Sequence, residues 1–202
     1  MQTANLFLVG APRSGTTSVA FWLAQHPDIA LAKPKEPGYY VTDRPMEGRI
    51  ASSDAYAAAF SHANREVFRL DATPWYLYSA AAVSSIAAAE PDANIIVNLR
   101  NPADMRPSLH NHHVFREVET ETDLATALFT TRPPDPTDFR HSLDYLDVGR
   151  LGAQVERLLS LFPPDRVHFV PFHHLAADPR TSHLELLGRL GLGEYPLDEY
   201  PR

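Results

Sequence analysis

The chain has 202 residues, 44% of them apolar and 21% charged, which suits one soluble domain with a full core. It contains no cysteine, so disulfides, thiolate metal sites and cysteine nucleophiles are excluded. A net charge of -7 argues against a nucleic-acid partner, and no apolar run approaches the length needed for a membrane span. Met1 to Gly10 has no basic leader and no small-residue cleavage pattern, so it does not read as a signal peptide, and a cytoplasmic protein is expected.

In chain order, Asn5 to Val9 is a short apolar run closed by Gly10, the pattern of a buried strand. After the loop Ala11 to Ser14, Gly15 to Gln25 reads as a helix stopped by Pro27, and Ile29 to Ala32 as a second strand. Lys33 and Lys35 follow; they are the chain's two lysines, and Lys35 stands beside Glu36. Asp54 to Phe60 is alanine-rich and helical in pattern, and Val67 to Leu70 reads as a strand. Ala80 to Ala89 is a helix, Asn94 to Leu99 the clearest buried strand, and a further helix follows Asn101-Pro102. Within that helix Pro107 removes an N–H and crowds the carbonyl of Ala103, so the regular part is expected to start near Pro107 or kink there. Either outcome would bring Ser108 to a helix N-terminus.

Arg132 to Asp138 is a proline-rich connection, too short to join domains. Leu151, Val155, Leu158, Leu159 and Phe162 recur at helical spacing, Val167 to Val170 is a last strand, and Ser182 to Leu190 a last helix. Strands alternating with helices imply an α/β domain with a mostly parallel sheet.

Two segments carry anion chemistry. Gly10 to Thr17 lies between a predicted strand and a predicted helix, with its two glycines at P-loop spacing. Such a loop aims backbone amides and a helix dipole at a phosphate. Thr16 stands where the P-loop lysine is expected, and the basic residue is Arg13 instead, which points away from a triphosphate. The alternative is a glycine turn that merely joins strand to helix. The second segment ends the strongest strand with Arg100, followed eight residues later by Ser108. A basic residue at the carboxyl end of a parallel strand lies on the ligand side of the sheet. Taken alone, the pair reads at least as well as a salt-bridged arginine and a capping serine.

Together these segments resemble the PAPS-dependent sulfotransferases. In that family a GxPRSGTT-type loop holds the 5'-phosphosulfate of PAPS (3'-phosphoadenosine 5'-phosphosulfate), and an arginine with a serine eight residues on holds the 3'-phosphate. Lys35-Glu36-Pro37 is similar to the Lys-Glu-Pro segment of the branch with the heparan sulfate and many bacterial enzymes. His112 matches a functional histidine of the N-sulfotransferases, Asp71 to Tyr76 a substrate-side segment, and Val148-Gly149-Arg150 the start of a later helix. The resemblance implies a P-loop-like three-layer fold, with a central, mostly parallel sheet flanked by helices. It implies binding of PAPS, with PAP as product, by Arg13, Ser14, Gly15, Thr16, Thr17, Ser18, Arg100 and Ser108. Glu36 is then the candidate base, with Arg13, Lys35 and His112 as further catalytic groups, Lys35 facing the sulfate, and no metal. The family usually continues into a basic, glycine-containing loop over the nucleotide. The expectation is one domain over residues 1–202 that stops short of that loop.

Arg13 stands where several branches carry a catalytic lysine, Ala72 where the glycan-specific enzymes carry a lysine, and Leu151 where a tyrosine is common. The acceptor, a small molecule or a glycan or lipid, is left open. His110 and His113 share a helix face, but no third ligand at suitable spacing joins them. Trp75, Tyr76, Tyr39 and Tyr40 read either as an acceptor wall or as core. A P-loop phosphotransferase or kinase, or an inactive PAP- or PAPS-binding module, is the alternative.

Overall fold

A computed structural model describes residues 3–130 and 143–201. The proline-rich connection from Arg132 to Asp138 lies outside the described residues. Five strands form one sheet: β1 (Leu6–Gly10), β2 (Ile29–Leu31), β3 (Phe68–Asp71), β4 (Asn94–Leu99) and β5 (Val167–Pro171). Their order is β2-β3-β1-β4-β5, and every pairing is parallel. The expected α/β class holds, and the mostly parallel sheet is wholly parallel among the described residues.

β1 is central and buried at all five positions, which is why its sequence is a continuous apolar run rather than an alternating one. Successive strand side chains point to opposite faces. Leu6 and Leu8 enter one core with Val19, Trp22 and Leu23 of α1 (Thr16–Leu23). Phe7 and Val9 enter the other, with Val83 and Ile86 of α3 (Ala80–Ala89) and Met105 and Leu109 of α4 (Pro102–Phe115). α2 (Ser53–Ala58), α5 (Leu124–Phe129), α6 (Tyr145–Val148) and α7 (Leu151–Leu159) add Tyr56, Ala127, Tyr145, Val148 and Leu158 to that second core. α8 (Phe172–Ala177) and α9 (Pro179–Arg189) add Leu175, Leu186 and Leu187 to the first. The result is three layers, helices on both faces of the sheet.

The strands and α1, α2 and α3 lie where the apolar pattern put them, within about two residues of their expected ends, while α9 starts three residues earlier than expected, at Pro179 behind its Asp178 cap. Helices α5, α6 and α8 have four to six residues and were not expected, because one turn or so shows no periodicity. His173 and His174 therefore lie on α8, and both are exposed.

The expected start near Pro107 is not what the chain adopts. α4 is helical from Pro102 and unbroken through Phe115, with Pro107 inside it. Asn101 caps this helix by accepting the Ala103 N–H at 2.9 Å, and Pro102 occupies the first helical position, where proline is favourable. That start signal outweighs the single hydrogen bond lost at Pro107. Ser108 sits in the second turn, so its amide is not among the free donors at the helix start.

Candidate active site

Running outward from the sheet order, the chain moves to one side after β1 and to the other after β4. The carboxyl ends of β1 and β4 therefore flank the crevice where open α/β sheets bind ligands. The loop after β1 turns sharply there. Gly10 has φ near 150°, and a Cβ on it would meet the Pro74 carbonyl oxygen at 2.7 Å. Gly15 has φ near 80°, and a Cβ there would strike Leu175 at 2.6 Å. Both positions require glycine.

Gly15 leads into α1 without a side-chain cap, and no acidic residue occupies the first turn. By contrast α2, α3, α4, α5, α6 and α9 each begin on a Ser, Asn or Asp side chain that accepts a backbone N–H. α7 and α8 also lack such a cap, but it is the start of α1 that follows the glycine loop into the crevice, where its amides and positive dipole end suit an anion.

The two anion motifs meet in space. Arg100 Nη1 donates to the Arg13 carbonyl at 3.0 Å, and Arg13 Nε donates to Ser108 Oγ at 3.3 Å. Asn98 Nδ2 donates to the Ser14 carbonyl at 3.0 Å, which ties β4 to the loop. Arg100 also lies over the Phe172 ring, 4.5 Å from its centroid. Its Nε is buried with no hydrogen-bond partner among the described residues, and neither Arg13 nor Arg100 forms an ion pair among them. Burial, then the charge of Arg100, pulls the Arg13 guanidinium below its ordinary value. Two cations held together with no carboxylate partner among the described residues suit an anionic ligand.

A cavity of about 580 Å³ opens here, lined by Arg13, Gly15, Thr16, Thr17, Ser18, Arg100, Ser108 and His112, with Glu36 and Trp75 on its wall. Of the expected cofactor residues, Ser14 alone turns its side chain away, donating from Oγ to the Pro12 carbonyl in a buried position. Burial first, then Arg13 and Arg116, lowers the His112 imidazole below its usual value, with Glu36 opposing. Arg116 lines the cavity too and was not anticipated. The signal was present: Ser108, His112 and Arg116 are spaced by four along α4 and share a face.

Lys35 does not line this cavity. Its Nζ donates to Glu36, and it lines an adjoining cavity of about 480 Å³ whose wall also includes Glu36, Trp75, His112 and Arg116. Arg13 and Glu36 both hold left-handed backbone conformations, with φ near 57° and 61°, an uncommon conformation for non-glycine residues that favours functional sites.

The segment Asp71 to Tyr76 divides. Asp71 is fully buried and accepts from Tyr56, Tyr76 and Thr73 at 2.9, 2.7 and 2.7 Å. Burial pushes its carboxyl up to about 6, against those hydrogen bonds. Thr73 Oγ1 in turn accepts the Gly38 N–H at 3.2 Å and anchors the loop that carries Lys35 and Glu36. Tyr40 and Tyr76 fill core around Phe7, and Tyr39 stacks on Tyr56. Ala72 is fully buried and places no charge in the site. His110 faces the Glu121 carbonyl at 2.8 Å and His113 the Tyr145 hydroxyl at 3.3 Å. Among the described residues no group of three or more His, Asp or Glu is arranged to hold a metal.

The family model of the sulfotransferase domain matches residues 3–198. Human heparan sulfate glucosamine 3-O-sulfotransferase 6 is 28% identical over 204 residues, covering 96% of this chain and 54% of that protein. Bifunctional heparan sulfate N-deacetylase/N-sulfotransferase 1 of Caenorhabditis briggsae is 21% identical over 206 residues, covering 98% of this chain and 24% of that protein. The chain thus spans between a quarter and about half of the length of these curated relatives. A crystal structure of a sulfotransferase from Alicyclobacillus acidocaldarius superimposes with a TM-score of 0.88 at 29% identity, covering 98% of this chain and 85% of that one.

Proposed function

The chain belongs to the sulfotransferase domain family, and on that footing we propose that it moves a sulfuryl group from PAPS to a hydroxyl or amine, releasing PAP. One observation carries the reading. Arg13 and Arg100, from the loops after β1 and β4, are tied together with no carboxylate partner among the described residues, in a cavity that Glu36 also lines.

The roles follow from chemistry. PAPS supplies sulfur already activated by its bond to a phosphate. The uncapped amides at Gly15, Thr16 and Thr17, with Arg13, suit the 5'-phosphosulfate and the charge that builds on its phosphate. Arg13 stays charged at neutral pH, so its part is electrostatic rather than that of an acid. Ser18 adds a hydroxyl to the same wall, and Arg100 with Ser108 suits the 3'-phosphate.

The acceptor oxygen or nitrogen gives its proton to Glu36 and bonds to sulfur, while the sulfur–oxygen bond to the 5'-phosphate breaks with its electron pair on the phosphate. Lys35 holds Glu36 while it is a carboxylate; once Glu36 takes the proton, the ammonium is released to face the sulfate. Should Glu36 prove dispensable, His112, uncharged near neutral pH, is the next base.

The two cores share one sheet, which supports a single domain. Among the described residues no helix is long and apolar enough to cross a membrane. A chain without cysteine needs no oxidising compartment to fold, which supports a cytoplasmic setting. Nothing in the site favours a phosphotransferase. Calorimetric titration tests the reading: PAP should bind at least ten times more tightly than ATP, without magnesium. Tighter ATP binding that depends on magnesium would sink it.

A further inference from the structure

The adjoining cavity meets the donor cavity along Glu36, Trp75, His112 and Arg116, so an acceptor lying in it would reach the base. Its charges cancel among the described residues. Lys35 pairs with Glu36, and at the rim Arg116 Nη2 donates to Glu47 at 3.2 Å. Its two imidazoles add no charge near neutral pH: burial holds His113 down to about 4, and His112 is lowered as well. The remaining wall is Met46, Trp75 and Val118, all partly buried, with the uncharged Pro34 and Gly48 exposed at its edge. About 480 Å³ admits a body of one or two rings.

A polyanionic acceptor needs a cation for each carboxylate or sulfate it buries, and here both cations are already paired. It would also approach a chain of net charge -7. Resting on the sulfotransferase reading above, we infer that the acceptor of this chain is a small uncharged alcohol or phenol with an apolar body, held against Trp75, Met46 and Val118, and not an acidic glycan. The balance of the step is the one already written: its hydroxyl proton passes to Glu36, its oxygen to the sulfur of PAPS.

The test compares kcat/KM at saturating PAPS for 2-naphthol, its 6-carboxylate, benzyl alcohol and an N-acetylheparosan hexasaccharide. Calorimetry in parallel measures PAP binding, and then 2-naphthol binding to the PAP complex. The expected result is that 2-naphthol binds that complex and is used at least tenfold better than its carboxylate or the hexasaccharide. Glu47→Lys, which adds charge at the exposed rim, should raise the use of the carboxylate relative to 2-naphthol at least threefold. Equal or better use of either anion overturns the proposal, as does an unmoved ratio in the variant. PAP binding with no transfer to either neutral alcohol overturns it while leaving the donor reading intact. No PAP binding removes the donor reading and the proposal with it.

Discussion

Arg13 does three things at once: its carbonyl accepts from Arg100, its Nε donates to Ser108, and its guanidinium lines the cavity. Removing the side chain deletes a charged hydrogen-bonding group, worth about 1.5–3 kcal/mol. Arg13→Ala should therefore weaken PAP by that amount in calorimetry, and unchanged affinity would take Arg13 out of the site. Glu36→Gln keeps the shape and removes the basicity. It should abolish transfer with PAP affinity nearly intact, and a near wild-type rate would move the base to His112. Residues whose type and spacing declare their chemistry, such as Arg13 in its glycine loop and Arg100 with Ser108, are legible in the sequence alone. Lys35 is not, because its pairing with Glu36 is a side-chain choice that the sequence does not record. Nor is the inward turn of the Ser14 hydroxyl.

Helix α4 carries Ser108 and His112 on one face, Arg116 at its C-cap continues the same row, and the helical pitch sets their mutual positions. Pro107 lies within it and leaves the Ala103 carbonyl without its helical donor. An interior proline costs about 3 kcal/mol, offset in part by the stiffness it gives the unfolded chain, about 0.4–1 kcal/mol. Pro107→Ala should thus raise unfolding stability by about 2–2.5 kcal/mol in urea titration; a loss would mean that the ring makes packing contacts worth more than the hydrogen bond. The buried strands are readable because a parallel sheet covered on both faces demands apolar runs such as Leu6–Val9 and Ile95–Val97. Helix α4 departs from its expected start because two local rules compete there, and the Asn101-Pro102 start signal prevails over the proline penalty. The start of α1 has a different lesson: like α7 and α8 it has no side-chain cap, and because it lines the cavity with Arg13 its N–H groups suit an anion.

Three buried titratable groups have the largest influence on how the molecule responds to acid, and His168, lowered by burial, acts in the same direction as the two histidines among them. Burial holds His113 on α4 and His183 on α9 down to about 4, and pushes Asp71 on β3 up to about 6. The histidines' contribution is present above 6.5, their ordinary value, and is lost as pH falls through about 4, since the unfolded chain takes up protons first. Asp71 acts in the other direction: its contribution is full below 3.8 and is lost as pH rises through about 6. Two groups outweigh one, so the Tm should fall on acidification from pH 7 to 4.5, and the pair His113→Gln with His183→Gln should flatten that slope. A wild-type Tm that holds steady or rises would contradict the balance. The central claim is metal-free sulfuryl transfer at the β1–β4 crevice, and its most direct measurement is PAP release from PAPS with 2-naphthol or benzyl alcohol in EDTA, wild type beside Glu36→Gln. The account predicts turnover in the wild type, none above background in the variant, and one sulfated product for each PAP. PAP release without a sulfated product, or turnover that EDTA abolishes, would contradict it.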